Sequence, residues 1–207
     1  MRDTFSRRIA SYVLVALLSG LSVLAAGRAR KPFSPDAPDF RKKGPAAAKI
    51  LIVEFSDFQC PACRYAEAPV RQIFTVYGDK VRFVFKHFPL RMHEWAKPAA
   101  VAAECAGRQG KFWEYHDRLY DRQDEWTNPK ADDFLLGYAQ AEKLDLKAWQ
   151  ACRLNPSAAA AVAADQKDGE NAWVGSTPTF FINGRRFVGA KQLAELGTLF
   201  MDRELKK

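Results

Sequence analysis

Three features of the 207-residue chain predict an α/β fold, one mixed sheet covered by helices. A short apolar, β-branched run, a helical period and a second such run stand in the order of a strand–helix–strand unit. A long stretch of purely helical spacing follows. The chain then closes with two short strand runs about an Asn-Gly step and a last amphipathic helix. This length suits one well-cored domain with an insertion, and 48% hydrophobic with 13% aromatic content is a globular composition. The formal charge of +8 is spread among interleaved acids, so it reads as a solvated basic surface, with no nucleic-acid site expected.

Arg2, Arg7 and Arg8 precede an uncharged, mostly apolar run from Ile9 to Ala26 that ends in small residues. Residues 1–27 therefore read as a secretory signal peptide or an N-terminal membrane anchor, which implies export and a disulfide-permissive compartment. Residues 28–48, rich in Pro, Lys, Arg and Ala, read as a linker, with the folded domain over 49–207. Within it, "KILIVEF" (Lys49 to Phe55) is a buried strand and "RYAEAPVRQIFTVYG" a helix that Pro69 should kink. "KVRFVFKHFPL" (Lys80 to Leu90) is the second strand. Residues 94–173 carry only helical patterns, bounded by Gly107, Gly110, Gly137, Pro129 and Pro156. "TPTFFING" (Thr177 to Gly184) and "RRFVGA" (Arg185 to Ala190) form the hairpin, and Leu193, Leu196, Leu199 and Phe200 mark one face of the last helix.

The chemistry concentrates at "FSDFQCPACRYAE", where Cys60 and Cys63 flank Pro61 and Ala62 at a strand-to-helix junction. Unpaired N–H groups and the dipole of a first helical turn stabilise an anion, so the Cys60 thiol should be acidic and a good leaving group. Cys63, three positions on, lies on the same side of the helix but deeper. Pro61 fits the first turn, where its missing donor matters little. A zinc knuckle would need further ligands, and the chain offers no second CxxC and only the scattered His87, His93 and His116. A static disulfide closing so short a loop adds little stability. A redox pair is the favoured reading, and the static staple is the alternative.

Three stretches, "VEFSDFQCPAC", "KPAAVAAECAGRQGKFWEYHDRLY" and "GSTPTFFINGRRFVGA", together resemble the DsbA-like thiol–disulfide oxidoreductases. That family has a thioredoxin-like fold with a helical insertion between its βαβ and ββα halves, here over about 94–173, and the likeness runs from Lys49 to the end. The resemblance implies Cys60 as nucleophile and Cys63 as resolving thiol. It makes Pro178 a cis-proline whose loop, with Thr177, receives substrate backbone. It sets Glu54, six positions before Cys60, as the buried acid that trades protons with the inner thiol. It is compatible with a structural disulfide between Cys105 and Cys152, the pairing expected of two further cysteines in an exported chain. The strong oxidants of the family carry Pro-His between the cysteines, so Ala62 implies a weaker oxidant. Ser176 stands where family members often have Gly.

The resemblance implies disulfide formation in reduced or unfolded exported proteins, in the periplasm or another extracytoplasmic space. A membrane quinone-linked oxidase would recharge the pair, and no organic cofactor or metal is required. Residues 28–48 are too short for the added domain of dimeric isomerases, so a monomer is expected. A reductase or isomerase of the same fold, and a non-catalytic chaperone-like module with a structural CxxC, are the competing readings. Phe112, Trp113, Tyr115 and Tyr120 read as core or interface packing, and His87 and His116 as structural residues.

Overall fold

A computed structural model describes residues 33–207, and the signal or anchor reading falls on residues outside them. Strand β2 (Ile50–Ser56) is almost wholly buried and runs parallel to β3 (Val81–His87), joined by helix α1 (Pro61–Tyr77). Burial on both faces explains why these strands read as continuous apolar runs rather than alternating ones. Strands β4 (Thr179–Ile182) and β5 (Arg185–Val188) form the hairpin, with Asn183 and Gly184 both at positive φ as its tight turn demands. Strand β4 lies antiparallel to β2, and with the short edge strand β1 (Lys42–Lys43) the full order is β1-β3-β2-β4-β5. This is the mixed sheet that the sequence predicts, in the thioredoxin-like form that the family resemblance implies.

Helices α2 (Ala96–Gly107), α3 (Phe112–Asp121), α4 (Gln123–Trp126), α5 (Ala131–Ala141), α6 (Leu146–Leu154) and α7 (Pro156–Asn171) make up the insertion between β3 and β4. Small Ala and Gly side chains on α2 allow close helix approach, and ten of its residues are buried. Phe112, Tyr115 and Tyr120 are core residues, and Trp113 packs against that core half-buried. Cys105 and Cys152 are disulfide-bonded, tying α2 to α6. Helix α1 is continuous through Pro69. Gly189 leaves the strand geometry expected over "RRFVGA" and opens the terminal helical segment instead.

The fold begins earlier than the linker reading of 28–48 allows. Strand β1 (Lys42–Lys43) pairs antiparallel with β3. Phe33 packs on Phe181 with the rings tilted, their centroids 4.3 Å apart, on the face of the sheet that also carries Phe55. Arg41 is buried, 3.3 Å from Glu104 and paired with Asp165. Asp165 also accepts from the His87 backbone N–H at 3.1 Å, and Lys86 pairs with Asp168, which holds the Ser34 N–H at 3.0 Å. A charge so buried persists only when paired from several sides. The segment is ordered by partners supplied from β3, α2 and α7, which a local reading of a basic, proline-rich stretch does not contain.

Candidate active site

Strand β2 ends at Ser56, and the loop Asp57–Gln59 delivers the chain to Cys60, the cap of α1. The Cys60 carbonyl accepts from the N–H groups of Cys63 and Arg64 at 3.0 and 3.2 Å, which starts the helix with Pro61 in its first turn. The two cysteines are present as thiols. Cys60 keeps 7% exposure and Cys63 none, so only Cys60 is reachable from outside. A hydrogen bond from Cys63 is the main cause that holds the Cys60 thiol down to about 6, with Thr177 and the N–H groups of Ala62 and Cys63 adding to it. Burial pushes Cys63 well above the usual thiol range, and Asp57 N–H lies 3.4 Å from its sulfur.

The loop before β4 meets this helix end. Thr177-Pro178 is a cis peptide bond, and the Cys60 sulfur lies 3.5 Å from the Thr177 carbonyl oxygen. Beneath the pair, Glu54 is fully buried in register with Phe85 and Phe180. Burial first, and the Glu67 charge second, push its carboxyl up to about 8. At neutral pH it is therefore a neutral acid, close enough to Cys63 that its ionisation would push the thiol still higher. The structure thus brings Cys60, Cys63, Glu54, Thr177 and Pro178 together, while Cys105 and Cys152 are bonded to each other between two helices of the insertion.

Several residues that hold the site went unread in the sequence. Gln123, buried in α4, donates from its amide to the carbonyls of Phe58 at 2.7 Å and Cys60 at 3.1 Å. Tyr120 and Ser56 share a hydrogen bond of 2.9 Å. Asp57 receives the Leu90 N–H at 2.8 Å and lies 2.8 Å from the His93 ring, and Gln59 receives the Trp95 N–H at 2.7 Å. No local pattern marks these residues, because each is defined by a partner distant in sequence. The tyrosine alone had a signal, its place on the aromatic face of α3.

A cysteine pair at a helix N-terminus, facing a cis-proline loop on a mixed sheet, is the arrangement of a thioredoxin-type fold. The thioredoxin family profile matches residues 38–202, and the chain belongs to that family. Among solved structures it is similar to alpha-DsbA1 of Wolbachia pipientis, with a TM-score of 0.71 and 21% identity over 83% of this chain and 94% of that one. BdbD of Bacillus subtilis gives 0.68 and 22% over 81% and 93%. A thioredoxin-like oxidoreductase of Silicibacter pomeroyi gives 0.66 and 25% over 83% and 99%. The architecture is that of DsbA proteins. A protein of Salinispora arenicola called Na(+)/H(+) antiporter NhaA 1 is 41% identical over 166 residues, 80% of this chain and 24% of its own length. The NhaA of Herminiimonas arsenicoxydans is 32% identical over 77% of this chain and 24% of its own. The chain thus spans about a quarter of the length of these curated relatives.

Proposed function

We propose that the protein is a thiol–disulfide oxidoreductase that forms disulfides in reduced exported proteins through Cys60 and Cys63. The observation that carries this reading is the asymmetry of the pair. A reachable thiol held down to about 6 stands over an unreachable one pushed far up. Acidity of the outer sulfur stabilises the dithiol form, which makes the disulfide form an electron acceptor. In the oxidising direction a substrate thiolate attacks Cys60 of the disulfide. The Cys60–Cys63 bond breaks, and Cys63 leaves with the electron pair and takes a proton. A second substrate thiolate then attacks the substrate sulfur, and Cys60 departs as a thiolate. The substrate gains one disulfide and the enzyme holds two reduced cysteines.

The Thr177-Pro178 loop would align substrate backbone beside Cys60, and Glu54 would supply and retrieve the Cys63 proton. Recharging requires an electron acceptor, which we assign to a membrane quinone-linked oxidase. An extracytoplasmic, membrane-adjacent setting is supported by the N-terminal apolar run and by relatives named as Na(+)/H(+) antiporters. The chain is taken to act as a monomer. The direction of transfer is tested by equilibrating the Cys60–Cys63 pair against glutathione buffers, with thiol trapping and mass spectrometry. Ready reduction by glutathione supports the oxidase. Resistance points to a reductase of the same fold. Cys63→Ser should trap substrates as mixed disulfides on Cys60; a variant that traps nothing refutes catalysis by the pair.

A further inference from the structure

Cys63 must gain and lose a proton in every cycle, yet neither it nor Glu54 has any exposed surface. Both Glu54 carboxyl oxygens lack a protein hydrogen-bond partner, as does Nε2 of His116. Glu67, one helical turn beyond Cys63, is buried and acts on Glu54 from the helix side. From α3, His116 sets Nε2 3.7 Å from the Glu67 Oε1 and Nδ1 2.8 Å from the Asp117 Oδ1. One ligand atom from each of Glu67, His116 and Asp117 lies within 4.8 Å of the others. The His116 ring is held among Phe58, Phe85, Trp113 and Tyr120, with centroids 5.0–5.6 Å away. Phe85 is itself the register partner of Glu54. The Asp117 side chain is half exposed.

We propose that Glu67 and His116 conduct the proton between the buried Glu54–Cys63 pair and solvent at Asp117. The inference rests on the redox reading of Cys60 and Cys63 and names the route by which that site exchanges protons. In the ring-closing direction Glu54 first gives its own proton to Glu67, Cys63 then gives its proton to the Glu54 carboxylate so formed, and the Cys63 thiolate attacks the sulfur of Cys60 in the mixed disulfide. The substrate thiolate leaves with the electron pair. The proton passes through Glu67 to one imidazole nitrogen while the other nitrogen releases one toward Asp117. The 3.7 Å gap between Glu67 and His116 is the span of a bridging water or a small rotamer shift. The other groups facing this path do not substitute for the imidazole. Tyr120 is pushed well above the usual phenol range by burial. Arg71, 3.6 Å from Glu67, holds a permanent charge, and Lys43 acts on Glu67 and Asp117 as a cation. Only the imidazole takes a proton on one side and gives one from the other. His116 is thus a positioning residue for protons and has a role beyond packing.

The test follows a single turnover in the full chain. Reduced protein is mixed with oxidised glutathione, and acid-quenched samples resolve formation of the Cys60–glutathione mixed disulfide from its closure to Cys60–Cys63. In His116→Gln, closure should slow about tenfold or more while mixed-disulfide formation is unchanged. The slowed closure should recover with rising buffer concentration, to which the parent is indifferent. Asp117→Asn, at a half-exposed position, keeps the fold and should slow closure about two- to threefold. Closure at the parental rate in both variants overturns the relay, as does equal slowing of both steps without buffer dependence. If the parent forms no mixed disulfide on Cys60, the redox reading itself falls and the relay with it.

Discussion

Replacing Glu54 by Gln should make the dithiol protein more stable at neutral pH and leave it unchanged in acid. The carboxyl is held up to about 8 from an ordinary value of 4.5, chiefly because burial penalises its charge. The folded state therefore keeps a proton that the unfolded chain gives up. Stability from this group is fully present below about 4.5, declines as pH rises, and is exhausted above about 8. At pH about 7 some 2.5 pH units of that decline have accrued, about 3 kcal/mol at 1.36 kcal/mol per unit. Glutamine carries no charge at any pH, so Glu54→Gln removes the loss. For a chain of this size that is a rise in Tm of about 6–12 °C. Thermal unfolding by circular dichroism, run on parent and variant at neutral pH and below pH 4, measures the difference. The reasoning is refuted if the gain is the same at both pH values, or if neutral pH shows none.

Three further outcomes follow from the same geometry. Cys63→Ala should raise the Cys60 titration, seen as thiolate ultraviolet absorbance, by about 1–2 pH units, since a hydrogen bond to a charged group contributes about 1.5–3 kcal/mol. Cys63→Ser, which keeps a donor, should raise it less, and identical midpoints would assign the acidity to the helix end alone. Arg41→Met strands Glu104 and Asp165 in the interior and should cost about 3–5 kcal/mol in urea unfolding; a loss below ~1 kcal/mol would mean that the cluster relaxes into solvent. Removing both Cys105 and Cys152 as alanines opens a link between residues 47 apart and should cost about 4 kcal/mol. Unchanged urea midpoints would show that helix packing alone holds α2 to α6.

Much of this architecture was legible because its signals are local. The runs at 50–56 and 81–87 are apolar on both faces, the Asn183-Gly184 step demands a tight turn, and the CxxC stands where a strand meets a helix. Glu54 was legible through the family resemblance, which gave it a place under the cysteines. Strand β1 was not legible: two consecutive lysines carry no β signal, and their pairing is decided by the free edge of β3. Arg41 read as one more charge in a basic linker because its partner Asp165 lies 124 positions away. His116 read as a structural residue because sequence shows its aromatic neighbours on α3 but not the glutamate that α1 brings to its far nitrogen. Periodicity reports which face is buried, not which polar group waits there.

The Gln123 amide, which grips the carbonyls of both Phe58 and Cys60, has a consequence for recognition. A free loop carrying a nucleophile would surrender orientational entropy each time a partner sulfur approached in line. This loop has surrendered it already, during folding, to a side chain of the insertion. In the oxidoreductase proposed above, an encounter with a substrate chain would begin from one fixed angle of attack, and a poorly matched partner would need few contacts of its own to react. Under that proposal, tolerance of varied substrates and rigidity of the site would be the same property.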